Sequence, residues 1–219
     1  MTRMVASLDL APPGRAMHAW ARMTRAVHSM KRRRLRKCAL WLLGGLLIFP
    51  CVVASQERAS LQTVARVDLD RYVGTWYEVA RLPNRFQDQC SSDVTAVYRR
   101  LDDGTIEVVN RCRDKSGMLD EARGVARVVD PASNAKLEVS FVSVFGYHLF
   151  WGDYWILGLG EDYEYALVGM PSRKYGWILS RTTRLPDDAW DHLRHLLIDA
   201  GYDPDRFMQT RHGELPGNK

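Results

Sequence analysis

From Gly74 to Thr182 the apolar residues of this chain return at every second position, in short runs broken by turn residues, with no helical period between them. This constrains the fold more than any other feature. Strands that follow one another without helices can bury their apolar faces only by stacking a sheet or closing it on itself. Eight runs are read: about 74–82, 93–100, 105–112, 121–129, 136–142, 153–159, 163–170 and 175–182. Asp102-Asp103-Gly104 is a tight hairpin turn, and Asp114–Gly117, Asp130–Asn134, Gly160–Asp162 and Pro171–Lys174 break the chain elsewhere. Residues 143–152 are aromatic and less regular. The expected fold class is all-β, an eight-stranded antiparallel up-and-down barrel.

Alternation assigns the faces. Charged Glu107 and Arg111 mark the water side of their strand, so Ile106, Val108 and Asn110 point inward. The same parity turns Ala96, Tyr98, Ala126, Val128, Leu137, Val139, Phe141, Trp177 and Leu179 inward, with Tyr154 and Ile156 as a less regular pair. The set is apolar and aromatic, with small residues interspersed. It suits either a cavity for an acyl chain or a core filled by its own side chains, because both need these residue types.

Residues 187–200 change period. Trp190, Leu193, Leu197 and Ala200 recur at spacings of three and four, which predicts one amphipathic helix, with Pro186 and two Asp at its start and Gly201 at its stop. Its apolar face is expected on the outside of the barrel. Residues 56–71 form a polar lead-in whose Val64, Val67 and Leu69 contact the lower end, and the tail, 204–219, is read as polar and loosely held, with Phe207 and Met208 as its candidates for packing.

Tyr72 to Phe86 contains Gly74-Thr75-Trp76-Tyr77-Glu78-Val79-Ala80-Arg81, followed by Pro83 and Phe86. This stretch resembles the first signature of the lipocalin family, most closely the bacterial outer-membrane lipocalins related to apolipoprotein D. Trp177-Ile178-Leu179-Ser180-Arg181 is similar to the family's third signature, and eight strands followed by one helix is the family's order. The resemblance implies a structural floor made by Gly74, Trp76 and Arg181, the guanidinium lying over the indole. Leu159-Gly160-Glu161-Asp162-Tyr163 matches the second signature only in part, with Gly160 where related bacterial chains carry Asp. It further implies binding of fatty acids or lysophospholipids, and a role in storing or moving lipids for envelope maintenance under stress. A lipocalin-fold enzyme acting on a lipid or carotenoid substrate is the alternative.

The front of the chain reads as an address rather than a fold. Residues 1–55 hold ten of the 31 Lys/Arg and one of the 26 acids, leaving 21 basic against 25 acidic residues, a net of −4, in 56–219. The overall positive charge therefore gives no support to a nucleic-acid partner, and none is expected. Lys31–Lys37 precedes an apolar run from Cys38 to Val53, the order of a secretory signal with cleavage near Ser55; a retained membrane anchor is the other reading. Cys51 offers a lipid-anchored amino terminus, although Pro50 before it departs from the usual lipoprotein pattern. Either way the destination is the cell envelope, in the periplasm or on the periplasmic face of the outer membrane. Met1, Met23 and Met30 are alternative starts. The order along the chain is thus an extension, 1–29; a signal segment, 30–55; a lead-in, 56–71; a lipocalin domain, 72–208; and a polar tail, 209–219.

Two cysteines remain outside the leader, Cys90 and Cys112. An even count in an exported chain favours a disulfide, and pairing about the Asp102–Gly104 turn brings Cys112 near the residues just after Cys90; a catalytic thiol or half a metal site is the other reading. Catalysis finds little support. His148, Asp153 and a nearby Ser lack a nucleophile elbow, His192 and His195 lack a third ligand for a metal, and the carboxylates are read as outward. No inward His supports a haem or pigment cofactor, and no cofactor is expected. Phe145–Trp151 is either an apolar lip at the mouth facing the envelope membrane surface, a homodimer contact, or ordinary loop packing.

Overall fold

The computed structural model describes residues 60–213. The leader, including Met1, Met23, Met30, Cys51 and Ser55, lies outside the described residues, as does the tail from 214.

A four-residue helix, α1 (Leu69–Tyr72), opens the domain, capped by Asp68, whose carboxylate accepts from the Asp70 N–H. Eleven strands follow: β1 (Gly74–Arg81), β2 (Cys90–Arg100), β3 (Ile106–Asp114), β4 (Leu119–Val128), β5 (Lys136–Ser140), β6 (Val142–Val144), β7 (Tyr147–Leu149), β8 (Gly152–Leu159), β9 (Tyr165–Gly169), β10 (Gly176–Ser180) and β11 (Met208–Gln209). Helix α2 (Asp187–Asp199) and a 3₁₀ turn (Pro204–Arg206) separate the last two strands.

Strands β1, β2, β3, β4, β5, β8, β9 and β10 pair antiparallel in that order, and β10 closes on β1 through Tyr77↔Ser180 and Arg81↔Trp177. The fold is therefore the eight-stranded barrel with one late helix that the periodicity predicts. The irregular, aromatic stretch after β5 forms a separate two-stranded hairpin, β6–β7. The up-and-down course puts α1, the start of β1 and the end of β10 at one end of the barrel. The loops 82–89, 115–118 and 170–175 and the β6–β7 hairpin lie at the other.

Two apolar layers follow from the alternation. One fills the barrel and includes Trp76, Ile156, Val168 and Leu179. The other lies outside, where fully buried Leu193 and nearly buried Leu197 of α2 seat against Leu167 and Ile178. His192, Arg194 and Asp199 face water. The helix ends as its sequence indicates, with Gly201 in the left-handed region at φ 74° and Arg173 Nε donating to the Ala200 carbonyl at 2.6 Å.

The lead-in and the tail both join the barrel. Val64 N–H donates to the Ile156 carbonyl and Val67 N–H to Ser133, and Val67 is fully buried. The tail differs from its loosely held expectation. β11 pairs with β1 at Ala80 and Arg81, Thr210 N–H donates to Val79, and Asp93 N–H donates to Arg211. The physical reason is a gap in the wall. β1 and β2 pair only from Gly74↔Tyr98 to Tyr77↔Thr95, after which irregularities in β2 turn it away, and residues 208–213 occupy the space.

Candidate ligand-binding site

The floor is built at the start of β1. Gly74 has a φ of 97°, a left-handed conformation that favours glycine, and a Cβ there would only touch Arg181 Nη1 at 3.4 Å. Trp76 is fully buried, and its Nε1 donates to the Tyr72 carbonyl at 2.8 Å. The Arg181 guanidinium lies 3.7 Å from the Trp76 ring centroid. Its Nη1 donates to Thr75 at 2.8 Å, and its Nη2 to Arg71 at 2.7 Å, Tyr72 at 3.1 Å and Val73 at 3.0 Å. One guanidinium thus gathers the carbonyls that end α1 and begin β1. Tyr163, from the partly matched turn, adds a second fastening. Its hydroxyl accepts from the Asp68 N–H at 2.8 Å, and Arg71 lies 4.2 Å over its ring. At Gly160 a side chain would meet the Glu164 carboxylate, which folds over it to accept from the Asp162 N–H.

The inward-facing side chains lie above this floor. Ala96, Tyr98, Ile106, Val108, Ala126, Leu137, Ile156 and Leu179 are buried in one cluster, with Val128, Val139, Phe141, Tyr154 and Trp177 packed against it. Asn110 stands across from Ala96 and Ala122 in register and so shares the inward face. Gly124 makes room for Phe141. A Cβ on it would come 2.7 Å from the Phe141 ring and 2.5 Å from the Ser140 carbonyl oxygen. Sequence reasoning missed Ala166 and Val168, although they pair with Leu179 and Trp177 and belong to the same cluster. Parity along that strand would have found them.

The mouth holds the chief correction. The carboxylates, read as outward, include one that is not: Glu78 is 3% exposed and Arg81 9%. An irregularity between Glu78 and Ala80 carries the inward face from Glu78 to Arg81, leaving Val79 and Ala80 outside against α2. Arg81 Nη1 donates to Glu78 Oε1 at 2.7 Å. Gln87 Nε2 and Thr210 Oγ1 also donate to that carboxylate. Gln87 Oε1 accepts from Trp177 Nε1 at 2.9 Å and from Asn84 Nδ2 at 2.9 Å, so loop 82–89 is tied down across the rim. Cys90 and Cys112 are bridged with 5.5 Å between Cα atoms, joining β2 to β3 at the same end.

The candidate catalytic groups are not brought together. His148 Nδ1 is buried with no hydrogen-bond partner, so no carboxylate orients that imidazole. His192 and His195 are exposed on α2, and among the described residues no group of three or more His, Cys, Asp or Glu could hold a metal ion.

Comparison with known proteins bears on this geometry. The family model described as "Lipocalin-like domain" matches residues 67–212. Temperature-induced lipocalin-1 of Arabidopsis thaliana is 36% identical over 165 residues, 73% of this chain and 87% of that protein. Outer membrane lipoprotein Blc of Escherichia coli (strain K12) is 35% identical over 166 residues, 75% of this chain and 90% of that protein. The Blc protein of Vibrio cholerae is 38% identical over 172 residues, 78% and 92% of the two chains. Insecticyanin from Manduca sexta, at 22% identity, superposes with a TM-score of 0.57 over 70% of this chain and 85% of its own, and so shares the fold. The barrel, its late helix and the matched family model agree, and the chain belongs to the lipocalin family.

Proposed function

We propose that the barrel takes up one long acyl chain tail first, from a fatty acid or a lysophospholipid, and stores or carries it in the bacterial cell envelope, supporting membrane maintenance under stress. The observation that carries this reading is the inward set itself. Thirteen apolar side chains, twelve from six strands and Phe141 just after β5, share one cluster above a sealed floor. Each buried methylene stabilises such a complex by about 0.8 kcal/mol, so a chain of several methylenes binds without a dedicated charge. Relatives named as outer membrane lipoproteins support the envelope as the place. Export then rests on the 30–55 segment, with Cys51 lipidation or cleavage near Ser55 as the two modes.

The exposed apolar side chains support a membrane surface as the partner. Met118 and Leu119 at the β3–β4 turn, Val144, Phe145, Tyr147, Leu149 and Phe150 at the β6–β7 hairpin, and Met208 all stand out at the open end. A lipid entering there from a bilayer need not cross water. Displacement of an environment-sensitive fluorescent fatty acid tests the lumen. Saturable binding, competed by unlabelled fatty acid, is expected, and its absence would reject the carrier reading.

A further inference from the structure

Three tyrosines meet deep in the lumen, and their hydroxyls do not balance. Tyr154 Oη lies 2.7 Å from Tyr72 Oη and 3.1 Å from Tyr98 Oη. The rings pack closely. Tyr72 stacks on Tyr98 at 5.9 Å between centroids, Tyr98 meets Tyr154 edge-on at 6.2 Å, and Tyr72 lies 5.1 Å from Trp76 of the floor. Tyr98 sits opposite Gly74 in register, so the group belongs to the closed half of the barrel. Burial pushes the Tyr72 and Tyr154 phenols well above their ordinary range and Tyr98 up to about 12, so all three keep their protons. Three hydroxyl protons then share two hydrogen bonds. Whichever way the chain of bonds runs, one proton has no acceptor within it, and spare lone pairs remain on the same oxygens.

We infer that Tyr72, Tyr98 and Tyr154 form a polar subsite at the bottom of the lumen that receives a carbonyl or hydroxyl oxygen on the buried end of the ligand. The preferred cargo is therefore an oxygenated acyl chain, one whose far end carries a hydroxyl or keto group, rather than a plain hydrocarbon tail. A hydroxyl suits the site best, because it can accept the spare proton and donate to a spare lone pair. An ionised group does not suit it, since Trp76, Ile156 and Leu179 wall the tyrosines, and the nearby Arg181 guanidinium lies across the Trp76 ring with its N–H groups already committed to backbone carbonyls. The inference rests on the acyl-binding reading and adds a specificity to it.

The test is competition for the fluorescent fatty acid on the unaltered protein, using saturated acids from decanoate to hexadecanoate, each with and without a hydroxyl on its terminal carbon. One neutral hydrogen bond is worth roughly threefold to tenfold in affinity. We expect the hydroxylated acid to bind about threefold to tenfold more tightly at the chain length that sets its oxygen at the tyrosines, and to lose that advantage at other lengths. In the triple variant Tyr72→Phe/Tyr98→Phe/Tyr154→Phe the ratio of hydroxylated to plain acid affinity should fall to about one at every length, whatever change in affinity the two acids share. A preference absent at every length, or one that survives the triple variant, would overturn the subsite while leaving the carrier reading intact; one enclosed water would then account for the spare proton. Failure of all the acids to compete would remove the carrier reading and this subsite together. If the triple variant does not fold, the length dependence in the unaltered protein decides alone.

Discussion

Arg181 and Glu78 are both charged, both set against the barrel wall, and differ in what surrounds them. Arg181 is spread over an indole and donates to five carbonyl groups, those of Arg71, Tyr72, Val73, Thr75 and Tyr163. Removing it takes a donor from each of those carbonyls, leaving Tyr72 only its bond from Trp76 Nε1, and uncovers the indole. Arg181→Met should therefore lower unfolding free energy by about 2–3 kcal/mol, read from urea denaturation. Arg181→Lys should recover little, because an ammonium cannot repeat a planar fork over a ring. Glu78 is instead one half of a buried ion pair. Glu78→Gln leaves the Arg81 charge buried beside a neutral amide and should cost about 3 kcal/mol or more. The double variant Glu78→Gln/Arg81→Met should return much of that loss, since an apolar pair of similar volume has no charge to desolvate. A double variant no more stable than Glu78→Gln alone would show that the rest of the network, Gln87 and Thr210, depends on the guanidinium itself.

At the scale of elements, the barrel was legible because one repeated property, period-two alternation, specifies each strand, its faces and its neighbours together. The inward parity of β2, β3, β4, β5 and β10 could be read residue by residue, and the helix stripe from Trp190 to Ala200 likewise. Illegible parts share a cause: they arise where the ladder departs from regularity. Nothing in Glu78-Val79-Ala80-Arg81 marks the extra residue that turns Arg81 inward. The short strand β11 has no pattern of its own, being two residues recruited to a gap that the divergence of β2 creates. That dependence can be tested. Deleting residues 208–219 strands the Val79 carbonyl and the Asp93 N–H and strips Thr210 from the Glu78 carboxylate. An unfolding free energy lower by about 3 kcal/mol is expected in urea denaturation. If stability is unchanged, the tail is an ornament on a wall that closes without it.

For the molecule as a whole, the distribution of exposed apolar groups matters more than their number. The closed end is a set of satisfied carbonyls and salt-bridged turns, whereas the open end carries Phe145 at 97% exposure and Tyr147 at 75%. Phe145 also holds a φ of 50°, a left-handed conformation that a bulky residue adopts at a disadvantage of about 1–2 kcal/mol and that Asn tolerates better. A residue chosen for the turn alone would not be phenylalanine, which suggests that the ring is kept for what it touches outside the chain. Phe145→Asn accordingly separates folding from docking. The variant should be as stable as the parent or slightly more so, while its partition onto lipid vesicles, measured by co-sedimentation, should fall by about tenfold, the loss of roughly one buried aromatic side chain. Loss of stability together with unchanged vesicle binding would place the ring within the hairpin's own packing. Unchanged vesicle binding with a drop in oligomeric mass by light scattering would assign it to a second copy of the chain. The membrane reading requires that stability and vesicle affinity move apart, because only then is the strained tip a feature that the lipid surface, and not the barrel, maintains.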